Sequence, residues 1–217
     1  MADTEPRDAT AADVAEMAEV LGDAFADDPV FAWLFPDPVR RPGQCRALFE
    51  MVVRHRYEPQ GGCQLVTDAV AAWEPPHRAG TGSDGPSSES VPGEATAEAV
   101  AAVEADAGAE ADAFPPELAV SGERLGLLGA LMDEHHPTEP HWYLAAIGVR
   151  PGAQGRGLGG VLLAARTAEL DAAGLPAFLE ATTPRSRALY ERHGFEVTEE
   201  IVIPDGPSMW AMWREPR

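Results

Sequence analysis

Lysine and asparagine are absent from this 217-residue sequence, and all 16 basic residues are arginine. Against them stand 36 acidic residues, for a formal charge of −20. That sign argues against nucleic acid or anionic lipid as a partner and favours a cationic substrate. The missing lysine and asparagine, with abundant alanine, glycine and proline, also match a GC-rich coding sequence, which accounts for the larger share of the bias. Cysteine is scarce. Cys45 and Cys63 form neither a C-x-x-C pair nor a disulfide ladder, and read as buried thiols in a reduced cytoplasm. No apolar run approaches the ~18 residues of a membrane span. The opening "MADTEPRDAT" lacks the basic-then-apolar order of a signal peptide. A cytoplasmic chain without a membrane partner is the expectation. His135, His136 and His141 fit no standard zinc spacing and lack cysteine partners, so no metal is expected.

What is present suffices for a single domain over 1–217, interrupted by an insertion. Segment 79–113 has no aromatic or basic residue, scattered acids and few branched aliphatics. It buries little apolar surface and reads as an acidic low-complexity insertion. Before it, Thr10 to Ala26 has Val14, Met17, Leu21 and Phe25 at helical spacing, with Thr10 as N-cap. The prolines of "DDPVFAWLFPDPVRR" forbid a continuous helix, and Phe31, Trp33, Leu34 and Phe35 form an aromatic knot. That knot is either a packing corner or one wall of a substrate pocket. Arg46 to Tyr57 reads as a second helix. Cys63 to Thr67 and Ala69 to Trp73 read as strands meeting at Thr67-Asp68. After the insertion come a helix over Glu123 to Glu134 and a mostly apolar strand, Trp142 to Val149.

That strand runs into four glycines, Gly155, Gly157, Gly159 and Gly160, which open a helix. Such a turn lets backbone N–H groups close on a phosphate. Gly155-x-Gly157-x-x-Gly160 matches a dinucleotide fingerprint, and Glu180 lies about twenty residues on, where a ribose-binding acid would stand. A dinucleotide fold needs further strand–helix units, however, and the chain beyond Glu180 reads as one helix and two strands. No Gly-Lys-Ser/Thr comes after the glycines, which excludes the kinase-type phosphate loop.

The same residues read as Q-x-x-G-x-G, from Gln154 through Gly155, Arg156, Gly157 and Leu158 to Gly159. "AAIGVRPGAQGRGLGGVLL" resembles the central strand, acyl-CoA loop and helix of the GNAT N-acetyltransferases. "PAFLEA" and "SRALYERHGFEV" resemble the family's next strand and closing helix. Within that family, "AFADDP", "AVAAW", "EPHWYLAAIGVRPGAQGRGLG", "LPAFLEATTPR", "LYERHGF" and "PDGPSMWAM" are most similar to the puromycin-acetylating type. The resemblance implies a mixed α/β fold: a mostly antiparallel central sheet with a splayed parallel strand pair, flanked by helices. It implies acetyl-CoA as donor and a small-molecule primary amine, such as an aminoacyl-nucleoside antibiotic, as acceptor. The chain would be a monomer or homodimer. A catalytically idle acyl-CoA-binding domain and a protein N-acetyltransferase are the rival readings.

The resemblance also assigns roles. Gln154 to Gly160 would hold the pyrophosphate, with the helix N-terminus adding its positive end. Ile147, Gly148 and Val149 would pair with the pantetheine arm as an added strand does, and Val149 N–H would polarise the thioester carbonyl. Ser186 stands where relatives often have a cofactor-contacting asparagine. Tyr190 matches the general acid toward the CoA sulfur; otherwise it is a core tyrosine. Glu180 is the candidate base or amine-orienting group, unless it is a strand-end carboxylate paired with an arginine. Phe31, Trp33, Trp142 and Tyr143 are candidates to line the acceptor side.

Overall fold

The computed structural model describes residues 5–76 and 115–217. The acidic segment 79–113 therefore lies outside the described residues. Seven strands form one sheet: β1 (Arg7–Asp8), β2 (Gln64–Val66), β3 (Ala69–Glu74), β4 (Trp142–Val149), β5 (Ala177–Ala181), β6 (Glu196–Val202) and β7 (Ser208–Arg214). Their spatial order is β1-β2-β3-β4-β5-β7-β6. Every neighbouring pair is antiparallel except β4 and β5, which run parallel.

Helices cover both faces. On one lie α1 (Val14–Phe25), α2 (Pro29–Leu34), α3 (Arg41–Val52), the short α4 (Pro116–Ala119) and α5 (Gly122–His135). Their apolar sides meet Tyr143, Ala146, Phe178 and Ala72 of the sheet. On the other lie α6 (Leu158–Ala173) and α7 (Pro184–Arg192), with Leu162, Leu163, Leu170 and Tyr190 packed on Leu144, Leu179 and Trp73. The helical spacing read in the sequence for Val14, Met17 and Leu21 is thus the buried stripe of α1.

Three boundaries differ from expectation. The aromatic knot contains a helix, α2, because Pro29 occupies its first turn, where no N–H is required, and Asp28 caps it. Asp28 Oδ1 accepts from Val30 N at 2.9 Å and Phe31 N at 3.4 Å. α3 begins at Arg41, earlier than read, and ends in a π-turn, Val53–Tyr57. That turn carries Arg56 onto Glu74, with two hydrogen bonds of 2.7 and 2.8 Å. Strand β1 was not legible at all, being two residues long and exposed.

Candidate active site

A bulge in β4 creates the site. β3 pairs Ala72 with Ala146 and Trp73 with Leu144, leaving Ala145 as an extra residue. An extra residue bends a strand and reverses which face its later side chains occupy. Tyr143 and Ala146 accordingly point to the α1–α3 side, and Leu144 and Ile147 to the α6 side. β4 stays with β5 only over Trp142, Tyr143 and Leu144, opposite Ala177, Phe178 and Leu179. Past the bulge the two strands part.

The register determines what faces the gap. Arg150 N donates to Asp68 O at 2.9 Å. In an antiparallel ladder, hydrogen-bonded pairs alternate. Gly148 and Ala146 therefore bond toward β3, while the N–H and C=O groups of Ile147 and Val149 turn toward the gap. Gln154 Nε2 reaches Val149 O from that side, at 3.2 Å. α1 closes over this segment tightly. A Cβ on Gly148 would stand 2.9 Å from Ala24 Cβ, so even alanine would overpack the contact, at a cost of about 1–3 kcal/mol.

Beyond β4 the chain turns through Gly155 (φ +78°) and Gly157 (φ +84°), both in the left-handed region that favours glycine. Gly157 is the N-cap of α6 and offers no capping side chain. The N–H groups of Leu158, Gly159 and Gly160 thus have no helical carbonyl to bond, since Val161 N makes the first such bond, to Gly157 O. Together with the helix dipole they form an anion site. Gly157→Val adds a branched side chain to this turn at a φ it resists. The folded variant is expected to bind CoA at least about tenfold more weakly, by calorimetry with circular dichroism as the fold check. Unchanged affinity would show that the turn does not approach the pyrophosphate.

A cleft of about 530 Å³ joins this turn to the gap. Its lining includes Ile147, Gly148, Val149, Gln154, Gly155, Gly157, Leu158, Gly159 and Gly160 from the β4–α6 unit. Thr182, Thr183, Ser186 and Tyr190 face them from β5 and α7, and Phe25, Asp27 and Asp28 from the α1–α2 elbow.

Two groups bear on proton transfer. Glu180 lies on β5 just past the last pair with β4. Its Oε2 accepts from the Tyr143 hydroxyl at 2.8 Å, while Oε1 is buried and has no partner among the described residues. Burial pushes this carboxyl up to about 7, the Tyr143 hydrogen bond opposes that, and the charges of Glu74 and Asp133 reinforce it. Tyr190 lines the cleft from α7. Burial, then the charges of Asp28 and Glu180, raise its hydroxyl above the usual tyrosine value, so it stays protonated. Tyr190 is thus among the lining residues of the cleft, whereas Glu180 is not.

The sequence-derived candidates divide accordingly. The Gln154–Gly160 turn, Ile147 to Val149 and Tyr190 come together on the cleft, apart from Arg156, whose guanidinium bonds Gly152 O at 3.2 Å. Ser186 also lines it, but its hydroxyl is engaged in the α7 cap with Thr183 Oγ1 at 2.9 Å. Glu180 is not paired with an arginine; its neighbour is Tyr143. Phe31, Trp33, Trp142 and Tyr143 are not among the lining residues. Phe31 sits between Phe25 (4.9 Å) and Phe49 (5.4 Å), as a packing corner requires. Trp33 lies under Arg124, and Trp142 under Arg166 on the α6 face. Tyr143 is buried against Phe178 and donates to Glu180, which is also not among the lining residues. His141 is buried against Phe178 and Trp213.

Sequence reading missed Asp28 and Thr182. Thr182 Oγ1 donates to Asp28 Oδ2, tying the α1–α2 elbow to the end of β5 across the cleft. The signal was an aspartate directly before a proline that opens an apolar run, which marks an N-cap.

Residues 87–195 match the acetyltransferase (GNAT) family. The fold is similar to a crystal structure of histone acetyltransferase HPA2 and related acetyltransferase from Corynebacterium glutamicum, at 27% identity and a TM-score of 0.66, covering 100% of this chain and 98% of that one. It is similar in fold to the polyamine N-acetyltransferase of Drosophila melanogaster (16% identity, TM-score 0.59, 97% and 98% covered). The same holds for a mosquito arylalkylamine N-acetyltransferase (15%, 0.58, 97% and 98%). With the glycine turn, the splayed strand pair and the family match in agreement, the chain belongs to the GNAT family and is an acetyltransferase, and acetyl-CoA is the donor that family uses.

Proposed function

We propose that the chain transfers the acetyl group of acetyl-CoA to the primary amine of a small molecule bearing an aromatic or hydrophobic group. An aminoacyl nucleoside such as puromycin is the acceptor that its sequence resemblance favours, and acetylation would inactivate it. The observation that carries the reading is the buried Glu180 Oε1, partnerless among the described residues, on β5 just past its last pair with β4. An uncompensated carboxylate oxygen there suits an incoming ammonium, which must give up a proton before it attacks.

In this reading the turn Gln154–Gly160 holds the pyrophosphate, and the gap-facing backbone groups of Ile147 and Val149 pair with the pantetheine amides. Val149 N–H donates to the thioester oxygen as it gains charge. The amine nitrogen bonds to the carbonyl carbon, and its proton passes to Glu180. The carbon–sulfur bond breaks, and Tyr190 protonates the departing sulfur. No covalent enzyme intermediate is needed, consistent with two buried cysteines whose thiols burial raises to about 12. Phe25 supplies an apolar wall within the cleft, with Phe31 supporting it from behind. The formal charge of −20 draws a protonated amine toward the chain.

An amine panel with free-thiol release as readout tests this. Puromycin or a related aromatic amine is expected to release thiol, and its N-acetylated form is not. Thiol release with a histone-like peptide and with none of the small amines would overturn the small-molecule reading while leaving the acetyltransferase intact.

A further inference from the structure

The cleft is sorted by charge. Asp27 and Asp28 line it at the α1–α2 elbow, whereas Arg185 and Arg192 line it from α7. Arg156 stands on the glycine turn between Gly155 and Gly157. In a chain with 36 acids, arginines find carboxylates easily. Arg46 meets Asp23 at 2.6 Å, Arg187 meets Glu191 at 2.9 Å, and Arg214 meets Asp171 at 2.7 Å. Arg156, Arg185 and Arg192 form no ion pair among the described residues. Their guanidiniums bond only uncharged oxygens: Gly152 O (3.2 Å), Gln154 Oε1 (3.4 Å) and Ala188 O (2.8 Å).

Arg185 and Arg192 line the cleft, and Arg156 belongs to the turn that the cleft reaches. Arg185 leans on Gln154 at the start of the turn. Arg192 precedes His193, whose Nε2 lies 3.5 Å from where a Cβ on Gly160 would be. The N-terminal turn of α6 lies between them. Three guanidiniums and roughly half a charge from the helix end give about +3.5. A pyrophosphate diester brings only about −2. Adding a phosphate monoester, whose second ionisation lies near pH 6, brings the ligand to about −4. CoA carries such a monoester on its ribose 3′ oxygen, and dephospho-CoA lacks it.

We propose that Arg156, Arg185 and Arg192 form a subsite for that third phosphate, so that the chain selects 3′-phosphorylated CoA over dephospho-CoA. The inference rests on the donor-site reading of the glycine turn and adds a specificity to it. Contacts to a phosphate by exposed guanidiniums are charge-assisted and screened by salt, so the preference is strongest at low ionic strength.

Calorimetry with CoA and with dephospho-CoA tests it. The unaltered chain is expected to bind CoA at least about tenfold more tightly at low salt, with the ratio shrinking as sodium chloride is added. The triple variant R156Q/R185Q/R192Q breaks no ion pair among the described residues and is expected to melt normally and bind both ligands within about twofold. Arg187→Gln removes the same charge from α7, but its guanidinium lies over Trp210 and pairs with Glu191, so it keeps the preference. If the triple variant fails to fold, Arg192→Gln alone decides, because it must at least halve the ratio. Equal affinity of the unaltered chain for both ligands overturns the proposal, as does a preference that survives the arginine substitutions. A folded chain that binds neither ligand overturns the donor-site reading itself.

Discussion

Glu180→Gln lowers kcat by about 10²-fold or more, the scale of a positioned general base. It also flattens the pH response. In the unaltered chain kcat rises as pH passes about 7, because Glu180 must lose its proton before it accepts one from the amine. Glutamine cannot titrate, so that limb disappears and only the acceptor's own ionisation remains. Stability moves the other way. Burial holds the Glu180 proton in the folded state to about pH 7, whereas the unfolded chain releases it near pH 4.5. The folded chain therefore binds more protons between these values, and Glu180 makes stability fall as pH rises through that window. The effect amounts to no more than about 3 kcal/mol. Glu180→Gln should remove that slope, giving a melting temperature less sensitive to pH between 4.5 and 7. A variant with undiminished kcat and the same limb near pH 7 would place the base elsewhere, with Asp28, a carboxylate that does line the cleft, the next candidate.

Tyr190→Phe is expected to reduce kcat by about 10²-fold while leaving CoA affinity within about twofold. The ring packs against Phe195, at 6.1 Å between centroids, and phenylalanine keeps that contact. Only the hydroxyl is lost. That hydroxyl has no hydrogen bond among the described residues to break, so its removal leaves no orphaned partner and folding is little affected. Because burial keeps the phenol protonated, the unaltered chain should show no loss of activity from Tyr190 ionisation below about pH 10. Stopped-flow thiol release with saturating acetyl-CoA and acceptor measures the effect. A kcat within a factor of two of the unaltered chain would assign sulfur protonation to water and Tyr190 to the core.

Legibility followed periodicity. α1 and β4 were readable because Val14, Met17 and Leu21 repeat at helical spacing and Trp142 to Val149 is a nearly unbroken apolar run. The glycine turn was readable because Gly155 and Gly157 hold positive φ, a demand that selects a residue type. The acceptor side was not. Four aromatics on the chain were equal candidates for a pocket wall, yet Phe31, Trp33 and Trp142 pack elsewhere and Phe25 lines the cleft. What a ring touches depends on which elements meet it, and no local pattern encodes that. The link between Asp28 and Thr182 spans far-separated segments and forms only once the elbow and β5 are in place. The bulge at Ala145 was equally hidden, since an alanine in an apolar strand gives no sign that it is the surplus residue.

Among the described residues the ladder between the two halves of the sheet is only three pairs long, Trp142 to Leu144 against Ala177 to Leu179. Mechanically, the molecule is two plates sharing a short seam at one end and open at the other. A force applied in the opening is levered onto that seam, while β3–β4 on one side and β5–β7 on the other remain long ladders that resist it. In the proposed donor mode, an extended guest lying against β4 would lengthen that plate's edge into the opening. Spreading the jaws to admit water beside a bound thioester would then mean peeling the guest from its strand, so in that mode the half-built sheet would both invite the donor and shield it.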